Sequence, residues 1–324
     1  MGFSNTPENR VHSLTEGGVL AAVTVVMALV GVYVPILGMI AILLWPLPVI
    51  VLIVRHGLRW GVMAVVVASF LTAAIVEPST ALRLAIAFGP VGLALGLGYR
   101  RGWSGVKLFT VSMVVSMVAK VAGLLLVFFL TGIEPFSGQF AMMDESFAQA
   151  ADMYRSMGMS EEQIAASEQN FVQNMNLVKL LVPLIVVMMG LMDTMINYIV
   201  GGKILTRLGE TVPTFPPFME WRMPSAFLYA FCLSLIGVYF GSTRDIPLLY
   251  KASYNVIMAC TLVGLVQGIS LYQYIMNYYR WSKIVRGILL VLIFMNGILL
   301  QIFSFVGLLD TVFDYRKRYF SGKK

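Results

Sequence analysis

Lys120 and Asp193 each lie deep inside a long apolar run, 108–131 for the lysine and 177–200 for the aspartate. Facing lipid, either charge would cost about 2.5–3.5 kcal/mol on insertion scales. Such residues pair, face a bundle interior or meet water, and they mark ion, proton or substrate paths. Lys120 is about 13 residues from Lys107, roughly 20 Å along a helix, and Asp193 about 10 residues from Lys203, roughly 15 Å. A lysine stem covers that difference, so the two are expected to pair. Ser112, Ser116, Lys120 and Gly123 recur at helical spacing, as do Gly190, Asp193, Thr194, Asn197 and Gly201. Each set is one stripe of a helix, small and polar as helix contacts in lipid are. Two roles fit the pair: a register-fixing ion pair, or a proton-, ion- or substrate-linked site.

Other candidate residues lie nearer the span ends. Trp45 opens Trp-Pro-Leu-Pro at 45–48. Two prolines there are expected to break or kink the second span, and broken helices line solute sites in many transporters. Packing alone is the other account of it. Glu77 and Arg83 bracket a short outer loop, either as a solvated pair or as a substrate contact. The candidate substrate-binding residues are thus Trp45, Glu77, Arg83, Lys120, Asp193 and Asn197.

The elements that must position these residues are transmembrane helices. Of 324 residues, 59% are hydrophobic and 12% charged, against about 25% charged in soluble domains. Apolar runs long enough to span fall at about 18–34, 38–54, 61–76, 82–98, 108–131, 177–200, 224–241 and 249–276, with a last stretch at 286–309. The chain is read as an all-α polytopic bundle of 8–9 spans. Basic clusters follow the second, fourth, sixth and eighth spans (Arg55 and Arg59; Arg100 and Arg101; Lys203 and Arg207; Arg280 and Lys283). The positive-inside rule then places the N-terminus in the cytoplasm. The polar start is not a cleavable signal peptide. A single ninth span would put the basic tail outside, Arg316-Lys317-Arg318 and Lys323-Lys324 included. A hairpin broken at Asn296-Gly297 would keep it inside and is preferred here.

Residues 132–176 are the polar exception, with seven acidic residues and one basic residue, Arg155. Asp144 to Met157 reads as a helix stopped at Gly158, and Ser160-Glu-Glu-Gln163 as a capping box opening another. The insert is either a cap on the bundle or a lid whose Met- and Phe-rich side faces a pocket. Pro213, Pro216, Pro217 and Pro224 mark an extended connector. It separates a six-helix unit, 1–208, from C-terminal helices at 209–324. Cys232 and Cys260 are expected to be buried free thiols.

The sequence holds no Walker loop, His-Glu-x-x-His or Cys-x-x-Cys, and no nucleophile–base set for an intramembrane hydrolase. The expectation is a non-enzyme with no cofactor, no metal and no nucleic-acid partner. Its partners would be the lipid bilayer, a small-molecule solute and possible transporter subunits. A non-transporting scaffold or regulator is the alternative.

Three stretches carry a resemblance: Pro216-Pro217-Phe218-Met219-Glu220-Trp221-Arg222-Met223-Pro224, Val266-Gln267-Gly268, and Gly307-Leu308-Leu309-Asp310 leading to Phe313-Asp314-Tyr315-Arg316-Lys317. They resemble the YybS family of bacterial membrane proteins, a family of unknown function, and the likeness extends over nearly the whole chain. It implies a bacterial plasma membrane. The first six spans also resemble S components of energy-coupling factor transporters, through the Pro35-to-Gly38 link, Pro46 and Pro48, Gly57-Leu58-Arg59-Trp60-Gly61, and Gly89-Pro90 with Gly92, Gly96 and Gly98. That likeness implies solute capture near the outer side, under segments 35–40, 77–83 and 132–176. The first span departs from it: Ala21, Ala22 and Ala28 lack the Ala-x-x-x-Ala spacing that docks S components to their coupling subunit.

Overall fold

The computed structural model describes residues 7–320, with side chains from 14 to 319. Lys323 and Lys324 of the basic tail lie outside them. All regular structure among the described residues is helical: α1 (Pro7–Tyr33), α2 (Pro35–Leu43), α3 (Leu47–His56), α4 (Leu58–Ile75), α5 (Pro78–Arg100), α6 (Gly105–Thr131), α7 (Ser137–Ser156), α8 (Glu161–Leu180) and α9 (Val182–Arg207) come first. A single 3₁₀ turn (Phe218–Glu220) precedes α10 (Ala226–Thr243), α11 (Pro247–Tyr278), α12 (Lys283–Met295), α13 (Gly297–Phe313) and α14 (Tyr315–Phe320). Among the described residues, 8 helical segments are long and apolar enough to cross a membrane, α2 and α3 together forming one of 22 residues. The protein is a polytopic helical membrane protein. The sixth span begins at Val182 rather than near 177, because Leu181 and Pro183 interrupt the helix and leave 177–180 at the end of α8.

The chain divides into two compact units. One comprises Met1–Val172 with Ile185–Thr214, the other Gln173–Leu184 with Phe215–Lys324. The division falls inside the proline-rich connector, and it assigns the end of the insert to the second unit.

In the first unit α3 is the inner helix, buried at every position from Leu47 to Ile53. Its neighbour α5 admits it through glycines. A Cβ on Gly92 would meet the Pro46 carbonyl at 3.2 Å, and one on Gly96 would sit 2.8 Å from the Ile53 Cβ. The end of α3 is tied down by charge. Arg100 donates to the Ile53 carbonyl at 3.0 Å, and Glu16 pairs with Arg55 and His56. The insert forms two helices with the expected signals. Gly158 takes φ +85°, and Ser160 and Gln163 exchange both capping-box hydrogen bonds. Phe147 stacks on Phe171 with ring centroids 4.3 Å apart. Met142, Met153 and Met157 are exposed on the outside of α7, contrary to an inward methionine face. Their flexible thioethers are excluded because the stacked phenylalanines, Ala151 and Ile164 already fill the inner side.

In the second unit α11 and α13 touch backbone to backbone. A Cβ on Gly307 would overlap the Gly264 carbonyl, and one on Gly268 the Phe303 carbonyl. Asn255 of α11 mends the break before α9: its Oδ1 accepts from Leu184 N–H and its Nδ2 donates to the Leu180 carbonyl. Cys260 is buried, but Cys232 is exposed. The reason is that α10 is apolar all round, so its periodicity does not choose a face, and Phe231 takes the buried position.

The last apolar stretch breaks at Asn296 with a bend of 105°. Asn296 Oδ1 accepts from the N–H groups of Ile298 and Leu299, starting the second limb. The limbs begin and end at the same end of α11. Tyr272 Oη donates to the Arg286 carbonyl at 2.8 Å before the bend, and Arg316 donates to Ser270 Oγ at 3.0 Å after it. Gly297, at the turn, lines a cavity with Ile257 near the middle of α11. The pair is a broken span or a re-entrant element, and the contacts of both limbs with one end of α11 are what a pair that dips in and returns would make.

Candidate functional site

The two polar stripes meet. Lys120 Nζ donates to Asp193 Oδ2 at 2.9 Å, with the side chains 7% and 1% exposed. Close approach of α6 and α9 makes this possible: a Cβ on Gly190 would lie 3.2 Å from Met117 N. Ser116 Oγ donates to the same carboxylate oxygen at 3.1 Å, and Asn197 Nδ2 to the other at 2.9 Å.

Two further contacts tie this cluster to irregular backbone. Lys120 Nζ donates to the Ala87 carbonyl of α5 at 2.8 Å and sits 3.8 Å from the centre of the Phe88 ring. Pro90, inside α5, removes one N–H from the helix ladder and disturbs the carbonyls one turn before it. The carbonyl that loses its N–H is that of Ile86, four residues before the proline, and Lys120 takes the neighbouring Ala87 carbonyl. Its three N–H donors thus have a carboxylate, a carbonyl and an aromatic face. Asn197 Nδ2 reaches the Leu43 carbonyl at 2.9 Å, where α2 ends. Leu47 N–H bonds Leu44 instead, so the break frees the Leu43 carbonyl for Asn197.

Trp45, in that break, is fully buried among Val25, Ala28, Ala68 and Leu84. Among the described residues its indole N–H has no partner, and the same holds for Thr72 Oγ1, Ser112 Oγ and Asn197 Oδ1. Buried polar atoms are nearly always paired with protein or water. Four unpaired ones, on the α2–α3 break, α4, α6 and α9, give the first unit unused donors and acceptors of both kinds.

Of the six candidates, Lys120, Asp193 and Asn197 form one cluster, and Trp45 joins it through the break. Glu77 and Arg83 stand apart, both exposed, with 3.4 Å between Glu77 Oε1 and Arg83 Nη2. Ser79 and Thr80 donate to Glu77, and the Ser79 hydrogen bond chiefly holds its carboxyl below the usual range. Ala87 and Phe88 escaped the sequence reading. Among the described residues, no group of three His, Cys, Asp or Glu side chains could hold a metal ion.

A second buried network lies in the second unit. Asp310 Oδ2 accepts from Gln267 Nε2 at 2.6 Å and is 3.6 Å from Arg316. Arg316 donates to the Met219 carbonyl at 2.6 Å. Gln267 Oε1 accepts from Met223 N–H at 3.0 Å, and Arg222 pairs with Asp314. The connector at 216–224, Gln267, Asp310 and residues 314–316 thus converge. The sequence reading used the basic tail for orientation and missed its docking.

The family described as "Predicted membrane protein (DUF2232)" matches residues 22–311. The chain is 24% identical over 315 residues to "Uncharacterized protein YybS" of Bacillus subtilis (strain 168), covering 95% of this chain and 99% of that protein. No solved structure matches the chain. With eight candidate spans in the structure and a family match over most of its length, the chain belongs to the DUF2232 family of predicted membrane proteins.

Proposed function

We propose that this protein binds a small solute from the outer side of a bacterial plasma membrane for uptake, in the manner of an S component, with the first unit as the binding part. The observation that carries this is the set of unpaired buried polar atoms on Trp45, Thr72, Ser112 and Asn197 in the first unit, two of them at the broken span. A polar solute, or the water it replaces, would satisfy them. Lys120 and Asp193 then hold the frame while the unpaired atoms face the solute. On this reading the N-terminus is cytoplasmic and the insert external. Cysteines placed at Ser137 or Ser167 are expected to react with an impermeant reagent on intact cells, and one at Ser321, outside the described residues, is not.

The test is mass spectrometry of small molecules that co-purify with the full-length protein in mild detergent. One metabolite is expected to be enriched with the wild type and lost with Trp45→Phe, which removes the N–H and keeps most of the ring. Further subunits of a transporter would join it for energy coupling.

The second reading is a scaffold or regulator that binds other proteins. Two observations favour it: every Lys120 donor is already used inside the bundle, and the methionines of α7 face outward, a soft surface suited to protein contact. No enriched metabolite, with stable protein partners recovered instead, would support that reading over the first.

A further inference from the structure

The bent pair leaves a cavity of about 470 Å³ in the second unit, independent of the solute site above. Its apolar wall includes Phe231 and Leu235 of α10, Ile257 and Leu262 of α11, and Leu300 and Phe305 of α13. Small-molecule sites span about 300–1,000 Å³ and are mainly apolar with a few placed polar groups. Ile257 and Leu262 lie in the central part of α11, a 32-residue helix. Gln301 precedes Arg316 by about 15 residues, roughly 20 Å along helix geometry, which is well inside a hydrocarbon core about 30 Å thick. The rim is open at that depth: Leu235 is 49% exposed, Phe305 44% and Leu262 37%. Hydrocarbon, not water, meets an open rim there, so an occupant enters sideways from the bilayer and is itself largely apolar.

The polar side chains of the wall differ in what they have left to offer. Thr261 and Ser304 already donate to carbonyls of their own helices, Ile257 at 2.8 Å and Leu300 at 2.9 Å. Gln301 also lines the cavity. It is exposed, and its side chain makes no hydrogen bond among the described residues. A carboxamide bordering hydrocarbon without a partner is costly, and this one offers both donors and an acceptor. No charged side chain lines the cavity, so an ionic headgroup would have no counter-charge at that depth.

We propose that this cavity binds a neutral, membrane-soluble molecule with a hydrocarbon chain and a single carbonyl or hydroxyl, which pairs with the Gln301 carboxamide. The chain fills the apolar wall under the bend, and the amide fixes its orientation. A carbonyl would accept from the amide N–H, and a hydroxyl would donate to the amide oxygen.

The test uses two photoreactive probes of equal length on the full-length protein in lipid nanodiscs: a long-chain alcohol and the corresponding alkane, each with a diazirine and an alkyne tag. The alcohol is expected to label peptides containing 257–265 and 297–308 at least fivefold above the alkane. Gln301→Leu should bring the alcohol down to the alkane level and leave alkane labelling unchanged. Thr261→Phe, which fills the cavity, should lower both at these peptides. Gln301→Leu places an apolar side chain at an exposed membrane position, so it keeps the test alive where the larger substitution impairs folding. Equal wild-type labelling by the two probes overturns the proposal, whether confined to the cavity or spread over exposed faces such as that of α4. Alcohol labelling unchanged by Gln301→Leu overturns it as well.

Discussion

Among the described residues each unit buries one ionic network, and the two are built differently. In the first unit the charges come from separate helices, Lys120 on α6 and Asp193 on α9, and both lie far from the span ends. They meet at 2.9 Å with nearly every remaining valence met by Ser116, Asn197 and the Ala87 carbonyl. In the second unit the charges are six residues apart, Asp310 at the end of α13 and Arg316 in α14, and they stand 3.6 Å apart. There the contacts to neutral groups are the short ones: Gln267 to Asp310 at 2.6 Å and Arg316 to the Met219 carbonyl at 2.6 Å. Depth accounts for the difference. Within hydrocarbon a charge has no water to fall back on, so its partner must be close. At a helix end the same side chains can serve as hooks for a connector, with the direct ion contact left loose.

The comparison predicts its largest effect at Lys120 and Asp193. Removing one member of a buried pair strands the other, typically at about 3–5 kcal/mol. Lys120→Met and Asp193→Leu should each lower the yield and the unfolding midpoint strongly. The double variant should recover part of the loss, which measures the coupling directly. Additive losses would mean that the pair contributes through its separate contacts to Ala87 and Ser116, and the contrast with the second unit would lose its basis.

Arg316 should give a smaller and more local effect. Arg316→Lys keeps the charge but loses the planar fork that reaches Met219 and Ser270 together. A loss of about 1–3 kcal/mol is expected, in the range for hydrogen bonds to charged groups and stranded buried acceptors. Its signature should be faster protease cleavage in 209–224, because the connector is what Arg316 holds. An effect as large as that of Lys120→Met, with no change in cleavage of the connector, would show that the second network is a core pair like the first.

The sequence disclosed the first network better than the second for a physical reason. Lys120 and Asp193 contradict their surroundings, and helical spacing plus depth is enough to match two such residues. Pro46 and Pro48 likewise announce the break that Asn197 mends, and Asn296-Gly297 the bend in the last apolar stretch. Ala87 and Phe88 are of another kind: a carbonyl is present at every residue, so nothing in the side-chain types picks out the one that Lys120 reaches. Asp310 and Arg316 were hidden because a basic tail beside a membrane is already explained by orientation. Cys232 and the methionines of α7 sit on helices whose apolar residues exceed what one face can bury, so spacing alone could not assign them. The unpaired atoms on Trp45 and Thr72 are legible only in three dimensions, since a polar atom's lack of a partner depends on every neighbour.

The smallest effect is expected where a charged pair is exposed. Glu77 and Arg83 lie at the start of α5, each about half exposed, with a long 3.4 Å contact. Exposed pairs of this kind contribute little, because water and salt screen them and two flexible side chains must be held in place. Ser79 and Thr80 already satisfy the Glu77 carboxylate, so losing Arg83 strands nothing. Glu77→Gln and Arg83→Gln, singly or together, should leave the melting temperature of the purified protein unchanged within error, at low and high salt alike. A clear destabilisation, with a coupling between the two that survives high salt, would mean that this pair is shielded from water in the protein as it exists in the membrane. The separation of the exposed pair from the buried Lys120–Asp193 cluster would then have to be abandoned, and residues 77–83 would join the candidate site.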